Sequence, residues 1–289
     1  MNFENFQNQP PNKVEMSSKT IERTPPAPGG TLVIMQRHGN YDRATGHLTS
    51  EGKVDALARS HEIIEDILKQ IPDEERASVR VLVVASPTIK NEGQRSMETA
   101  SAVIESVKTT FEQYGIPAEN LLTESPRPVE AIEEPRMLKD DSGFKKFLED
   151  EYGAGSVEFW KAYEEEKHKE ERERMGAEGP IEMSDRFAHF TNVLARYARL
   201  FHSKHKQNPE RLIIWNVSHY DTITTFFKNH IADISQNEHV PVDYDGGMSL
   251  IISPEGQASV KIDGTTYPME LTTSGTTIKR QDHVENGEA

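Results

Sequence analysis

The run Thr31 to Gly39, TLVIMQRHG, constrains this chain more than any other stretch. Four of the five residues Thr31 to Met35 are apolar, with β-branched Val33 and Ile34 and no alternation with polar residues. Such a run suits a strand covered on both faces. Two later runs have the same character: Arg80 to Ala85 (RVLVVA) leads into Ser86 and Pro87, and Leu212 to Val217 (LIIWNV) leads into Ser218 and His219. Amphipathic segments separate them. Leu48 and Thr49 lead into a helix, capped by Thr49 or Ser50, in which Val54, Leu57, Ala58, Ile64, Leu68 and Ile71 recur at helical spacing. Met97, Ala100, Ile104, Val107 and Phe111 mark a second helix; Phe187, Phe190, Leu194, Tyr197 and Phe201 mark a third that begins at Ser184. Buried strands alternating with helices predict a three-layer α/β/α sandwich with a mostly parallel central sheet.

Each buried run ends in polar residues suited to one task. Arg37 supplies a forked cation matched to phosphate oxygens, His38 an imidazole able to act as a nucleophile, and Gly39 room for close backbone approach. Arg95 stands at the start of the second helix, where free amides and the helix dipole also favour an anion. With His219 after the third run, two guanidinium groups and two imidazoles converge on the C-terminal ends of strands, the place where open α/β sheets bind ligands. The expected ligand is a phosphate ester. His38 is the candidate nucleophile, because a neutral imidazole is available near pH 7; Arg37, Arg95 and His219 are the candidates to hold the phosphoryl oxygens. Asn40, in the polar loop GNYDRATG, is a further substrate-binding candidate.

Composition narrows the partners. The net charge of −15 argues against a nucleic-acid binder and means that a phosphorylated substrate must find a local cationic pocket on an acidic body. There is no cysteine, so neither a disulfide framework nor a thiolate metal site is expected; with no HExxH pattern either, no metal and no cofactor is assigned. No stretch approaches the length of a membrane span and the N-terminus carries no apolar run fit for a signal peptide, so the expected location is cytoplasmic.

Residues 1–30, rich in Asn, Gln, Pro and Ser and ending in PPAPGG, read as a disordered arm. One core domain is expected over 31–271, with residues 113–180 forming a cap beside the pocket. Within the cap, Phe144 to Met175 reads as helix, its run EEEKHKEERERM a solvated face. Val242 to Ile252 and Ala258 to Ile262 predict a hairpin turning at Pro254 to Gly256 at the sheet edge, and 272–289 a disordered tail.

At these residues the chain resembles the histidine phosphatase superfamily, also called the phosphoglycerate mutase-like family. The resemblance rests on RHG at Arg37 to Gly39, LTxxG at Leu48, Thr49 and Gly52, SP followed by RxxxTA at Ser86, Pro87, Arg95, Thr99 and Ala100, and SH at Ser218 and His219. It spans roughly Thr31 to Ile262. It implies a phosphoglycerate mutase-like fold and the same roles for Arg37, His38, Arg95 and His219 in a metal-independent phosphatase working through a phosphohistidine. The alternatives are a phosphoglycerate mutase-type phosphotransferase and a catalytically weak phosphate-binding module. The proton donor stays open. Pro135 to Gly143 resembles the family's acid-bearing segment, but Lys139 stands where the acid is expected, which leaves Glu134 or Asp140, or Glu133 beside them. Asp221, two places after His219, is the alternative, by similarity to the acid-phosphatase branch.

Overall fold

The computed structural model describes residues 16–17, 19–87, 94–138, 143–154, 156–232, 240–262, 265–271 and 278–280. In chain order the regular elements are β1 (Thr31–Arg37), α1 (Ser50–Lys69), β2 (Val79–Ala85), α2 (Arg95–Gln113), β3 (Arg127–Pro128), α3 (Phe144–Tyr152), α4 (Val157–Glu164), α5 (Lys169–Arg174) and α6 (Pro180–Lys204). They continue with β4 (Arg211–Ser218), α7 (Tyr220–His230), β5 (Gly247–Ile252), β6 (Ala258–Ile262), β7 (Thr265–Leu271) and β8 (Ile278–Arg280). The strands form one sheet in the order β3-β2-β4-β1-β5-β6-β7-β8. The first four in that order are mutually parallel; from β5 onward every pairing is antiparallel.

The expected three layers follow from the alternation of side chains along each strand. Val33, Met35, Leu212 and Ile214 point to one face, where Phe187 and Leu194 of α6 and Ile223, Phe226 and Phe227 of α7 cover them. Leu32, Ile34, Ile213 and Trp215 point to the other, against Ile63, Ile64 and Ile67 of α1 and Val103, Val107 and Phe111 of α2. Both faces are covered, so these strands carry long unalternating apolar runs such as Leu32–Met35 and Leu212–Trp215.

Several expectations are corrected. The buried stripe of α1 runs through Gly52, Ala56, Ser60, Ile63, Ile64, Ile67 and Leu68, and Val54 is 63% exposed. In the first turn Gly52 lies inward: a Cβ there would stand 2.1 Å from the Asn40 carbonyl oxygen, so only glycine lets the helix lie this close to the loop after β1. Helix α6 starts at Pro180 rather than Ser184, with proline in its first turn and the Glu182 carboxylate accepting from the Gly179 N–H at 3.1 Å. The charged helix expected over Phe144 to Met175 is three short helices, divided at Gly153 and at Glu166, whose φ is 51°. Its Arg172 is no solvated residue: it is buried and paired with Glu166 at 2.8 Å. These helices close on a small apolar cluster of their own, which includes Met137, Phe144, Leu148, Phe159 and Tyr163.

The expected hairpin is present as β5 and β6, but β5 pairs with β1 in the interior of the sheet, and β7 and β8 continue the sheet beyond β6, with β8 at the edge. Residues 278–280, assigned to a disordered tail, pair with β7; 272–277 and 281–289 lie outside the described residues. Residues 1–15 also lie outside, whereas the segment from Met16 to Gly30, described except for Ser18, is not a loose arm. Met16 and Ile21 are fully buried, and the Met16 N–H donates to the Pro241 carbonyl at 2.8 Å. Two apolar side chains suffice to anchor a stretch whose composition is otherwise that of a linker. No helix among the described residues is long and apolar enough to cross a membrane.

Candidate active site

Parallel pairing places the ends of β1, β4 and β2 side by side. Arg37 is in register with Ser218, and Ala85 with Val217. One ladder bond further on, the His38 N–H donates to the Ser218 carbonyl at 3.0 Å and the Ser86 N–H to the Val217 carbonyl at 2.9 Å. His38, His219 and Ser86 therefore leave adjacent strands at one level, and the imidazoles of His38 and His219 meet edge to face with centroids 5.2 Å apart.

His38 is 4% exposed. Its Nδ1 lies 2.8 Å from the carbonyl oxygen of Gly39, a contact that requires the proton on Nδ1 and leaves the lone pair on Nε2. Burial, then the charges of Arg95 and Arg37, hold its pKa well below the usual imidazole range, so the ring is neutral at physiological pH. Arg95 donates to that Nε2 from its Nε at 3.1 Å.

The motif residues around Arg95 explain its position. The Thr99 hydroxyl accepts the Gly39 N–H at 3.0 Å and donates to the Arg95 carbonyl at 2.8 Å, which ties the turn after β1 to the first turn of α2. The Glu98 carboxylate accepts the Leu48 N–H at 2.7 Å and meets His47 at 2.5 Å, which pins the loop over the pocket to the same helix. The Arg95 Nη2 reaches the Glu134 carboxylate at 2.6 Å and approaches His219 Nδ1 at 3.5 Å. On its far side, His219 Nε2 stands 2.8 Å from the Ser86 hydroxyl and 3.3 Å from that of Ser96. His219 thus has hydroxyls at Nε2 and a guanidinium at Nδ1.

Among the described acid candidates, Glu134 has its carboxylate against Arg95 and His219. It is 3% exposed, and its carboxylate also lies 4.0 Å from His219 Nδ1. Distant parts of the chain hold its backbone: Ser218 donates its hydroxyl to the Ile132 carbonyl at 2.7 Å, Thr222 to that of Glu133 at 2.8 Å, and Arg186 of α6 to those of Glu130, Glu133 and Glu134. Glu133 is buried beside it. Lys139 and Asp140 lie outside the described residues. Asp221 is buried in the first turn of α7, where burial and then Glu164 push its carboxyl up to about 7.

The remaining candidates are placed differently. The guanidinium of Arg37 donates to the Val242 carbonyl at 2.5 Å, and its carbon lies over the Tyr244 ring, 4.0 Å from the centroid. Asn40 supports the site through its backbone, its carbonyl accepting the Thr49 N–H at 3.1 Å. Sequence reasoning missed Tyr41, Ser96, Tyr244 and Asp245. Asp245, with φ 56°, is buried and accepts from Gln36 at 3.3 Å; burial pushes its carboxyl up to about 7. The Asp-Gly-Gly run before β5 was the available signal for this tight turn.

Compared with known proteins, the sequence matches no family model and no curated protein. Similar solved structures include a phosphoglycerate mutase from Bacillus anthracis, 15% identical with a TM-score of 0.47, covering 84% of this chain and 95% of that one. A mycobacterial glucosyl-3-phosphoglycerate phosphatase complexed with VO3 is 16% identical with a TM-score of 0.43, covering 80% of this chain and 97% of that one. A phosphoserine phosphatase from Entamoeba histolytica is 16% identical with a TM-score of 0.38, covering 81% and 97% respectively. On the motif order of its sequence, together with the three-layer fold and the side chains gathered at its strand ends, the chain resembles the histidine phosphatase superfamily.

Proposed function

We propose that this protein is a metal-independent phosphomonoesterase that works through a phosphohistidine on His38. The observation that carries the reading is the state of that ring: buried, neutral, its Nδ1 proton given to Gly39 and its Nε2 lone pair facing a guanidinium. When a phosphate ester enters, Arg95 turns its donors from Nε2 to the phosphoryl oxygens, where Arg37 and His219 assist. The freed Nε2 attacks phosphorus in line, the P–O bond to the leaving group breaks, and the departing oxygen takes a proton from Glu134. In the structure Glu134 is paired with Arg95. A bound phosphoryl dianion competes for that guanidinium and disfavours a second negative charge beside it, which is what a proton donor needs. Water then attacks the phosphohistidine with the Glu134 carboxylate as base, releasing inorganic phosphate and neutral His38.

Asp221 is the second reading for the donor, favoured by a carboxyl already held near 7 by burial. The test of the whole reading is hydrolysis of an aryl phosphate in the presence of chelator by wild type and His38→Ala, with rapid acid-free quenching to trap phosphorylated His38. Activity that survives chelation, a trapped phosphohistidine and a silent variant are the expected results. Equal activity in His38→Ala overturns the mechanism.

A further inference from the structure

Both arginines that flank His38 lie on tyrosine rings. The guanidinium carbon of Arg95 is 4.5 Å from the centroid of Tyr41, and that of Arg37 is 4.0 Å from the centroid of Tyr244. The two rings meet each other edge to face with centroids 6.3 Å apart, and His38 fills the corner between them, 5.1 Å from Tyr41 and 6.0 Å from Tyr244. Neither phenol oxygen makes a hydrogen bond to the described residues, so the ring faces make the contact. A guanidinium over an aromatic face is attracted by the ring quadrupole and loses freedom to turn away.

Backbone hydrogen bonds and a bridge fix the loops that present these rings. Tyr41 opens a small hairpin through its bridge to Leu48, and Glu98, three residues along α2 from Arg95, accepts the Leu48 N–H. The ring and the guanidinium it meets are thus tied to the same helix turn. Tyr244 precedes Asp245, whose φ of 56° and bond from Gln36 fix the turn; Gln36 in turn accepts from Trp215 Nε1 at 2.5 Å in the sheet core. The N-terminal segment closes this turn from outside. The Asp243 N–H donates to the Met16 carbonyl at 2.8 Å, and a Cβ on Gly246 would stand 2.5 Å from that same oxygen.

We propose that Tyr41 and Tyr244 are positioning residues that hold Arg95 and Arg37 at the phosphoryl site through their ring faces; the proposal rests on the reading of these arginines as phosphoryl ligands. It assigns the hairpin loop and the turn before β5 a shared task, pre-orienting cations that an acidic protein would otherwise pair with surface carboxylates.

The test compares Tyr41→Phe, Tyr41→Leu, Tyr244→Phe and Tyr244→Leu. The first readout is the order of the Arg37 and Arg95 Nε–H vectors in 15N-labelled protein, measured by heteronuclear NOE; the second is kcat/KM on an aryl phosphate. The expected result is guanidinium order kept in both Phe variants and lost in the Leu variant of the matching arginine. Turnover should fall about 3- to 30-fold in each Leu variant, with the Phe variant restoring most of it. Unchanged arginine order in the Leu variants overturns the proposal, as does a Phe variant as disordered as its Leu counterpart, which would assign the task to the hydroxyl. Arginine order that responds as expected in a protein without phosphatase activity upholds the positioning and refutes the phosphatase reading instead.

Discussion

Replacing Glu134 by Gln separates two effects that point in opposite directions. The carboxylate is 2.6 Å from Arg95 Nη2 and almost wholly buried, so it competes directly with a phosphoryl group for that cation. Two unit charges about 4 Å apart interact by about 4 kcal/mol at an effective dielectric constant of about 20. Removing the carboxylate's charge abolishes both its hold on Arg95 and its repulsion of a phosphate dianion. Even if about a third of that figure survives relaxation, orthophosphate binds about tenfold more tightly to Glu134→Gln, and calorimetric titration reads this directly. Chemistry moves the other way. An amide cannot give a proton to a leaving oxygen, and general acid catalysis contributes about 10²- to 10⁴-fold. The loss of kcat/KM should depend on the leaving group: close to the full factor for an alkyl phosphate, and far smaller for a nitrophenyl phosphate, whose phenolate departs unaided. Melting curves check that the variant is folded. Equal losses on both substrates of kcat/KM, which reports departure of the leaving group and not the later hydrolysis that Glu134 also serves, refute Glu134 as the donor, and weaker phosphate binding refutes the competition for Arg95.

Other expectations follow from burial and close contact. Asp221 holds its proton in the folded chain up to about pH 7 but ionises near the ordinary carboxyl value of 3.8 when unfolded. The stability it contributes is therefore complete at about pH 4 and lost as pH rises through 7. That change amounts to at most about 4 kcal/mol, and Asp221→Asn should flatten the melting temperature between pH 4 and 8 and raise it at the alkaline end. A profile with the same slope as wild type would refute the burial argument. Gly52→Ala places a Cβ 2.1 Å from the Asn40 carbonyl oxygen and should cost about 1–3 kcal/mol in urea unfolding, with a loss of kcat because the loop after His38 must shift. Met16→Ala, at a fully buried position, should cost about 2–5 kcal/mol by the same assay; a change within error would show that the N-terminal segment adds nothing to stability.

What the amino-acid order determined by itself was local and periodic. The run TLVIMQRHG is at once a buried strand and the start of the site, because nine consecutive residues carry both the apolar pattern and the cation and imidazole that end it. The three-layer arrangement was legible for the same reason: uninterrupted apolar strands need cover on both sides, and the intervening helices had stripes to provide it. Which carboxylate faces the pocket was not legible. Glu134 is placed by bonds from Ser218, Thr222 and Arg186, residues 50 to 90 positions away, and no local pattern encodes such contacts. Ile64 and Leu68 of α1, and Ile71 just after it, are buried as their spacing predicts, whereas Val54 and Ala58 are exposed; in the first turn it is Gly52, against the carbonyl of Asn40, that lies inward. The aromatic support of the arginines was equally hidden: Tyr41 and Tyr244 stand some 200 residues apart in ordinary loop sequence. They become neighbours only because antiparallel pairing of β5 with β1 delivers the turn before β5 to the end of β1. Periodicity writes burial into sequence, one element at a time. The meeting of side chains from separate elements is decided by register and packing, and these exist only once the sheet has closed.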